Sequence, residues 1–148
     1  MADNKAIVAK LLDALWNKGQ LSVADELVSK DFVGYWPFRA EPVKGPVGYK
    51  DLVAELWKVF PDQKMRILDQ IAEGDKVVTR FEVTGTHRAE FLTAKPTYKT
   101  VTVEGLGTSR IVNGKIVETY VQVDSLALLR GLGIVSPKIT MPASAVAR

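Results

Sequence analysis

Cysteine is missing from the 148 residues, which excludes disulfides, thiolate metal sites and a cysteine nucleophile. Histidine occurs once, at His87, so no multi-histidine metal site can form within one chain. No stretch approaches the ~18 apolar residues of a membrane span. The opening Met1-Ala2-Asp3-Asn4-Lys5 lacks a basic segment followed by a continuous apolar run, which argues against a signal peptide. The expectation is a soluble, cytoplasmic protein with no membrane partner. Basic clusters are missing too. The net charge is +3, from 20 basic and 17 acidic side chains, and Lys10, Lys18, Lys30, Lys44, Lys50, Lys64, Lys76 and Lys99 are spaced along the chain. A nucleic-acid surface would gather them on one face, so no nucleic-acid partner is expected. Lys58 and Asp62, at helical spacing, read as a solvated surface pair.

What is present fits one globular domain, with 47% hydrophobic and 25% charged residues. Residues 4–18 carry Ile7, Val8, Leu11, Leu12, Leu15 and Trp16 as an amphipathic helical stripe, with Asp3 or Asn4 to cap it and Gly19 to end it. Ser22 opens a shorter helix. Asp31 to Phe38 reads as a short extended piece stopped by proline, and a loop follows to Gly45-Pro46. Val47, Leu52, Val53, Leu56, Trp57 and Phe60 then form a helical stripe ended by Pro61. From residue 64 the apolar period falls to two. Four strands are expected near 64–73, 76–87, 99–112 and 115–124, with Gly74-Asp75 and Asn113-Gly114 as turns. Ser125 to Leu132 suggests a brief helix. The domain spans 1–135, and the proline-containing tail 136–148 is expected to be loosely ordered. Helices followed by an antiparallel meander make an α+β fold, with helices covering one face of a curved sheet around a hollow.

The Asn113-Gly114 turn predicts the register of the last hairpin if no bulge intervenes. Ser109 then faces Glu118, Gly107 faces Tyr120, Gly105 faces Gln122 and Val103 faces Asp124. Tyr120, Gln122 and Asp124 share a face by strand alternation, opposite two positions without side chains. That face is a ligand wall or, equally on these residues, a surface open to solvent or a second subunit.

Six segments in order resemble the SnoaL-like polyketide cyclases of the nuclear transport factor 2-like superfamily. They are Gly45-Pro46-Val47-Gly48, Phe60-Pro61-Asp62, Ile71 to Val78, Thr84 to Phe91, Ile111 to Glu118, and Asp124 before a leucine-rich turn. The resemblance covers about residues 5–133. It implies a cone-shaped, strongly curved antiparallel or mixed sheet with helices around a pocket, usually in a homodimer. It also implies cofactor-free closure of a polyketide ring by intramolecular aldol condensation, on a small hydrophobic carbonyl compound. The aspartate at the end of the last strand, the general acid/base of such cyclases, corresponds to Asp124, and the histidine of Gly-Thr-His to His87. The resemblance favours the ligand wall. Two departures stand out: Gly34-Tyr35-Trp36 occupies the place where members often carry histidine or asparagine, and Ala89 replaces a usual glycine.

Each candidate has a plainer role beside the functional one. Asp124, desolvated in an apolar pocket, would suit proton transfer at carbon, yet it also stands where a helix cap belongs. His87 titrates near neutrality or is simply a surface residue. Tyr120 and Gln122 would orient a carbonyl by hydrogen bonds or merely fill a strand. Tyr35 and Trp36 would stack on a flat ring or belong to the core, Trp57 is core or pocket wall, and Gly105 and Gly107 make room for the ligand. The two functional readings are an acid–base enzyme and a non-catalytic binding or dimerisation module. No metal site is expected.

Overall fold

In the computed structural model, which describes residues 3–136, Asp3 caps helix α1 (Asn4–Leu12), its Oδ1 accepting the Lys5 N–H at 3.0 Å. The helix does not run evenly to residue 18. Asp13–Asn17 widens into a π-helical turn, and partners outside the helix accompany the change. Trp57 Nε1–H donates to the Leu15 carbonyl at 3.3 Å. The Asn17 side chain accepts the Met65 N–H at 2.7 Å and donates to its carbonyl at 2.9 Å. Groups inserted against the helical ladder open it in this way. Gly19, at φ +63°, then turns the chain away.

Helix α2 (Val23–Leu27) leads directly into β1 (Val28–Tyr35), which starts three residues earlier than the aromatic pattern suggests. The expected loop holds a two-residue strand, β2 (Val43–Lys44), before α3 (Gly45–Val59) with proline in its first turn. The remaining strands are β3 (Lys64–Glu73), β4 (Lys76–Thr86), β5 (Thr100–Val112) and β6 (Lys115–Val123), followed by α4 (Ser125–Gly131). These boundaries agree with the period-two reading to within one residue. The expectation for the tail beyond Ser136 lies outside the described residues.

The six strands form one mixed sheet in the order β2-β1-β6-β5-β4-β3. All neighbours are antiparallel except β1 and β6, which run parallel. The α+β class follows. Leu11, Leu15, Phe32, Tyr49, Val53, Val77 and Ile116 centre a core between α1, α3 and the inner face of the sheet. A smaller cluster of Val101, Val103, Leu128 and Leu132 seats α4 against β5.

The surface pair read from Lys58 and Asp62 does not form, because α3 ends at Val59 and Asp62 lies in the turn beyond it. Asp62 instead accepts the Thr86 N–H at 2.8 Å and the Thr86 hydroxyl at 2.6 Å. Those two donors hold its carboxyl below the usual carboxylate range. No described helix is long and apolar enough to cross a membrane.

Candidate functional site

The last hairpin carries a bulge. Ile111 pairs with Ile116, but Arg110 pairs with Glu118, so Val117 is the extra residue on β6. Beyond it every partner moves by one. Ser109 faces Thr119, Gly107 faces Val121 and Gly105 faces Val123. The unbulged register is thereby corrected, because a one-residue slip transfers a whole set of side chains to the other face.

The face holding Tyr120, Gln122 and Asp124 is consequently the outer one. Tyr120 is 48% exposed and stacks on Tyr35, with ring centroids 4.7 Å apart and planes at 11°. The Glu118 carboxylate, more than any other influence, pushes the Tyr120 phenol up from its ordinary range. Gln122 is exposed. Asp124 is exposed as well, and it caps α4, its Oδ1 accepting the Ala127 N–H at 3.0 Å. None of Tyr35, Tyr120, Gln122 or Asp124 lines either of the two cavities described below. The ligand-wall assignment of this face is corrected, and the helix-cap role of Asp124 is the one its geometry satisfies.

The glycines do turn inward, for a different guest. A Cβ on Gly105 would stand 2.5 Å from Phe81 Cζ. Its missing side chain admits the Phe81 ring. Gly107 has ordinary space, since a Cβ there would have its nearest neighbours at 3.8 Å.

The sheet's inner face, α3 and the segment after β1 enclose a cavity of about 310 Å³. Trp16, Phe60, Met65, Phe81, Val103 and Val121 are among its walls, and Trp36 stands on it, edge-on to Tyr49 at 5.1 Å. Trp57 does not; its indole is spent on the Leu15 carbonyl. Among the described wall residues the titratable side chains are Arg39 and Glu55, joined by an ion pair of 2.8 Å and both exposed. An exposed pair of this kind contributes about 0–1 kcal/mol to stability. Gln63 also lines the wall; it is buried, and its amide nitrogen is enclosed. Arg39, Glu55 and Gln63 carry no sequence motif; only the fold gathers them.

A neighbouring cavity of about 40 Å³ reaches Gly107, Ser109 and Tyr49. Burial pushes the Tyr49 phenol up to about 12, against the opposing bond from Trp16 Nε1–H at 3.4 Å. It is a neutral core group at physiological pH.

His87 is neither at the surface nor on the cavity wall. It is fully buried, and its ring lies 6.1 Å from that of Phe60 and 6.4 Å from that of Phe91, both wall residues. The Thr97 N–H donates to Nδ1 at 3.2 Å, which places the proton of neutral His87 on Nε2. His87 thus fastens the loop between β4 and β5, together with the reciprocal backbone bonds to Lys99 and Tyr98.

With the fold and cavity in place, known proteins supply the family. A profile of the SnoaL-like polyketide cyclases matches residues 6–132. The chain belongs to the SnoaL-like polyketide cyclase family. Solved structures agree with that membership. A protein of Jannaschia sp. CCS1, provisionally assigned as a SnoaL-like polyketide cyclase, superposes with a TM-score of 0.81 at 24% identity, over 89% of this chain and 92% of its own. IdmH of Streptomyces antibioticus, provisionally assigned as a polyketide cyclase, gives 0.78 at 28% identity, covering 89% of this chain and 99% of its own. AclR of Streptomyces galilaeus, provisionally assigned as a hydroxylase, gives 0.78 at 30% identity, covering 99% of this chain and 88% of its own. A search of curated proteins finds no significant match. The SnoaL-like membership fixes the fold and the broad family; the reaction depends on this chain's own cavity.

Proposed function

We propose that this chain admits a small, largely apolar carbonyl compound of polyketide type into the cavity and moves a proton at carbon without a cofactor, in an aldol cyclisation or a related isomerisation or dehydration. The observation that carries the reading is the cavity itself: about 310 Å³ with walls of aromatic and aliphatic side chains and a few polar groups. That is the make-up of a small-molecule site, in which apolar walls bind and few polar groups orient. Glu55, on the wall, is the carboxylate available as base, and the paired Arg39 is the charge available to an enolate oxygen. A bound ligand would strip water from this pair and strengthen both effects. Of the three solved relatives, two are provisionally assigned as polyketide cyclases and one as a hydroxylase, so the family name alone does not select the step.

The outward-facing cap at Asp124 favours a second reading, a binding module without chemistry. Trp16 and Trp36 on the wall make intrinsic fluorescence a reporter of occupancy. Titration with 2-tetralone, and proton NMR of its α-hydrogen washout in D₂O, separate the two. Binding with washout above buffer, lost in Glu55→Gln, supports the enzyme. Binding without washout supports the module, and no binding removes both.

The outer sheet face fits a second copy of this chain. Tyr35, Tyr120, Thr108, Val78 and Ile71 form one row across it through successive strand pairings, and no described helix covers them. Leu106, 50% exposed, and the Arg80–Glu104 pair lie alongside, so the face offers apolar surface and both charges to a two-fold mate. Light scattering should give a dimer mass that falls to monomer in Leu106→Lys/Tyr120→Lys. A parent that stays monomeric at a chain concentration on the order of 100 µM would refute it.

A further inference from the structure

We propose that Gln63 is the polar anchor of the cavity, its side-chain N–H, enclosed in the free protein, turning outward to donate to a ketone or enol oxygen of the ligand. This rests on the reading of the cavity as a site for a carbonyl compound and adds the group that recognises the carbonyl.

Gln63 follows Phe60-Pro61-Asp62 at the end of α3 and is 6% exposed. Its amide nitrogen has no hydrogen-bond partner among the described residues, and of the cavity-lining side chains it alone carries a buried polar atom in that condition. Burying an amide unpaired opposes folding, and buried polar groups are paired as a rule. Leucine or methionine would fill the same volume beside Phe60, Met65 and Phe81 without that cost. A wall residue that is costly to the free protein and competent toward an acceptor is the mark of a group kept for a ligand.

Its mounting supports the assignment. The Gln63 N–H donates to the Phe60 carbonyl at 3.1 Å. Its neighbour Asp62 is held by both Thr86 donors, and the Arg88 N–H binds the Val59 carbonyl at 2.8 Å. The turn bearing the amide is therefore tied to the end of β4 on one side and to α3 on the other. With the backbone so fixed, only the Gln63 side chain has to turn for the amide to meet its acceptor, which limits the freedom lost on binding. His87 Nε2, a ring nitrogen without a partner among the described residues, belongs to a side chain that packs beside Phe60 and Phe91 and does not line the cavity, so it does not compete for the same oxygen.

The test compares 2-acetylnaphthalene with 2-isopropylnaphthalene, which share shape and differ in the carbonyl oxygen, by tryptophan fluorescence on the parent, Gln63→Leu and Gln63→Met. The parent should prefer the ketone by about tenfold, the effect of one hydrogen bond. Both variants should bind the ketone no better than the hydrocarbon, and both should unfold at the same or a higher temperature than the parent. Equal binding of the two probes by the parent overturns the anchor and leaves the cavity reading intact. A ketone preference retained in the variants, or variants that unfold earlier or fail to fold, also overturns it, since the amide would then be serving the fold. Failure of the parent to bind either probe sinks the cavity reading and the anchor with it.

Discussion

Replacing Gly105 by alanine tests which way the strands around the cavity face. The new methyl would sit 2.5 Å from Phe81 Cζ and 2.8 Å from the Gln122 carbonyl oxygen. The ring end can swing toward the cavity, but the carbonyl belongs to the β6 backbone and cannot move without disturbing the ladder. Overpacking of this kind costs about 1–3 kcal/mol. Restricting the unfolded chain returns about 0.4–1 kcal/mol; with an unyielding backbone oxygen at 2.8 Å the cost lies at about 2 kcal/mol or more, leaving a net loss of about 1–2 kcal/mol. For a chain of this length each kcal/mol corresponds to roughly 2–4 °C, so the midpoint should fall by about 2–8 °C. Gly107→Ala, with ordinary space around it, serves as the size control and should hold or raise the midpoint. Gln122→Ala completes the set. In an unbulged hairpin Gly105 and Gln122 would share a face, and both substitutions would meet the same surroundings. In the bulged one Gln122 is exposed while Gly105 is enclosed, so Gln122→Ala should stay within about 0.5 kcal/mol of the parent. Differential scanning calorimetry reads all three. A neutral Gly105→Ala, or a Gln122→Ala as costly as Gly105→Ala, would refute the register.

Asp124→Ala should lose about 1 kcal/mol by uncapping α4, whereas Asp124→Asn, itself a good cap, should match the parent in thermal unfolding and in α-hydrogen washout; washout abolished in the asparagine variant alone would restore this residue as the base. Asp62 has its folded pKa lowered, so its contribution is present above the unfolded value of about 3.9 and is lost as pH falls through the folded one. The midpoint gap between the parent and Asp62→Asn should accordingly be widest above about pH 5 and close toward pH 3, and a gap independent of pH would contradict the Thr86 contacts. Asn17→Leu removes both bonds to the Met65 backbone and should cost about 1–3 kcal/mol in urea unfolding, with an unchanged midpoint counting against the π-turn bridge.

Most of the fold was legible because short-range chemistry specifies it. The Asn113-Gly114 turn, with φ of +51° and +76°, and the switch from helical to two-residue period at residue 64 placed four strands to within a residue. Family resemblance supplied the sheet's overall form. Which residues of β5 share a face with Tyr120, Gln122 and Asp124 was not legible from the turn, since one extra residue reverses the match. Only burial in the folded chain reveals it: Ile116 is buried together with Thr119 and Val121, and one even and two odd positions cannot share a face of a regular strand. That break in parity marks the bulge at Val117. The site was less legible still. Arg39, Glu55 and Gln63 lie in different segments, and their approach to one hollow is a property of how α3 and the post-β1 segment lie over the sheet. Trp36 was found on the wall, whereas Tyr35, its neighbour, points the other way, as adjacent residues of an extended chain must.

The parallel union of β1 with β6 has a consequence for assembly. Val33 finds its mate at Glu118, and Tyr35 at Tyr120. During synthesis the first strand has to wait until nearly the whole domain has left the ribosome, while β3 to β6, joined in sequence, are free to zip together by local turns. Distant pairings are the slow ones. The amino-terminal helices and their strand should therefore dock last, closing the hollow over a sheet already made.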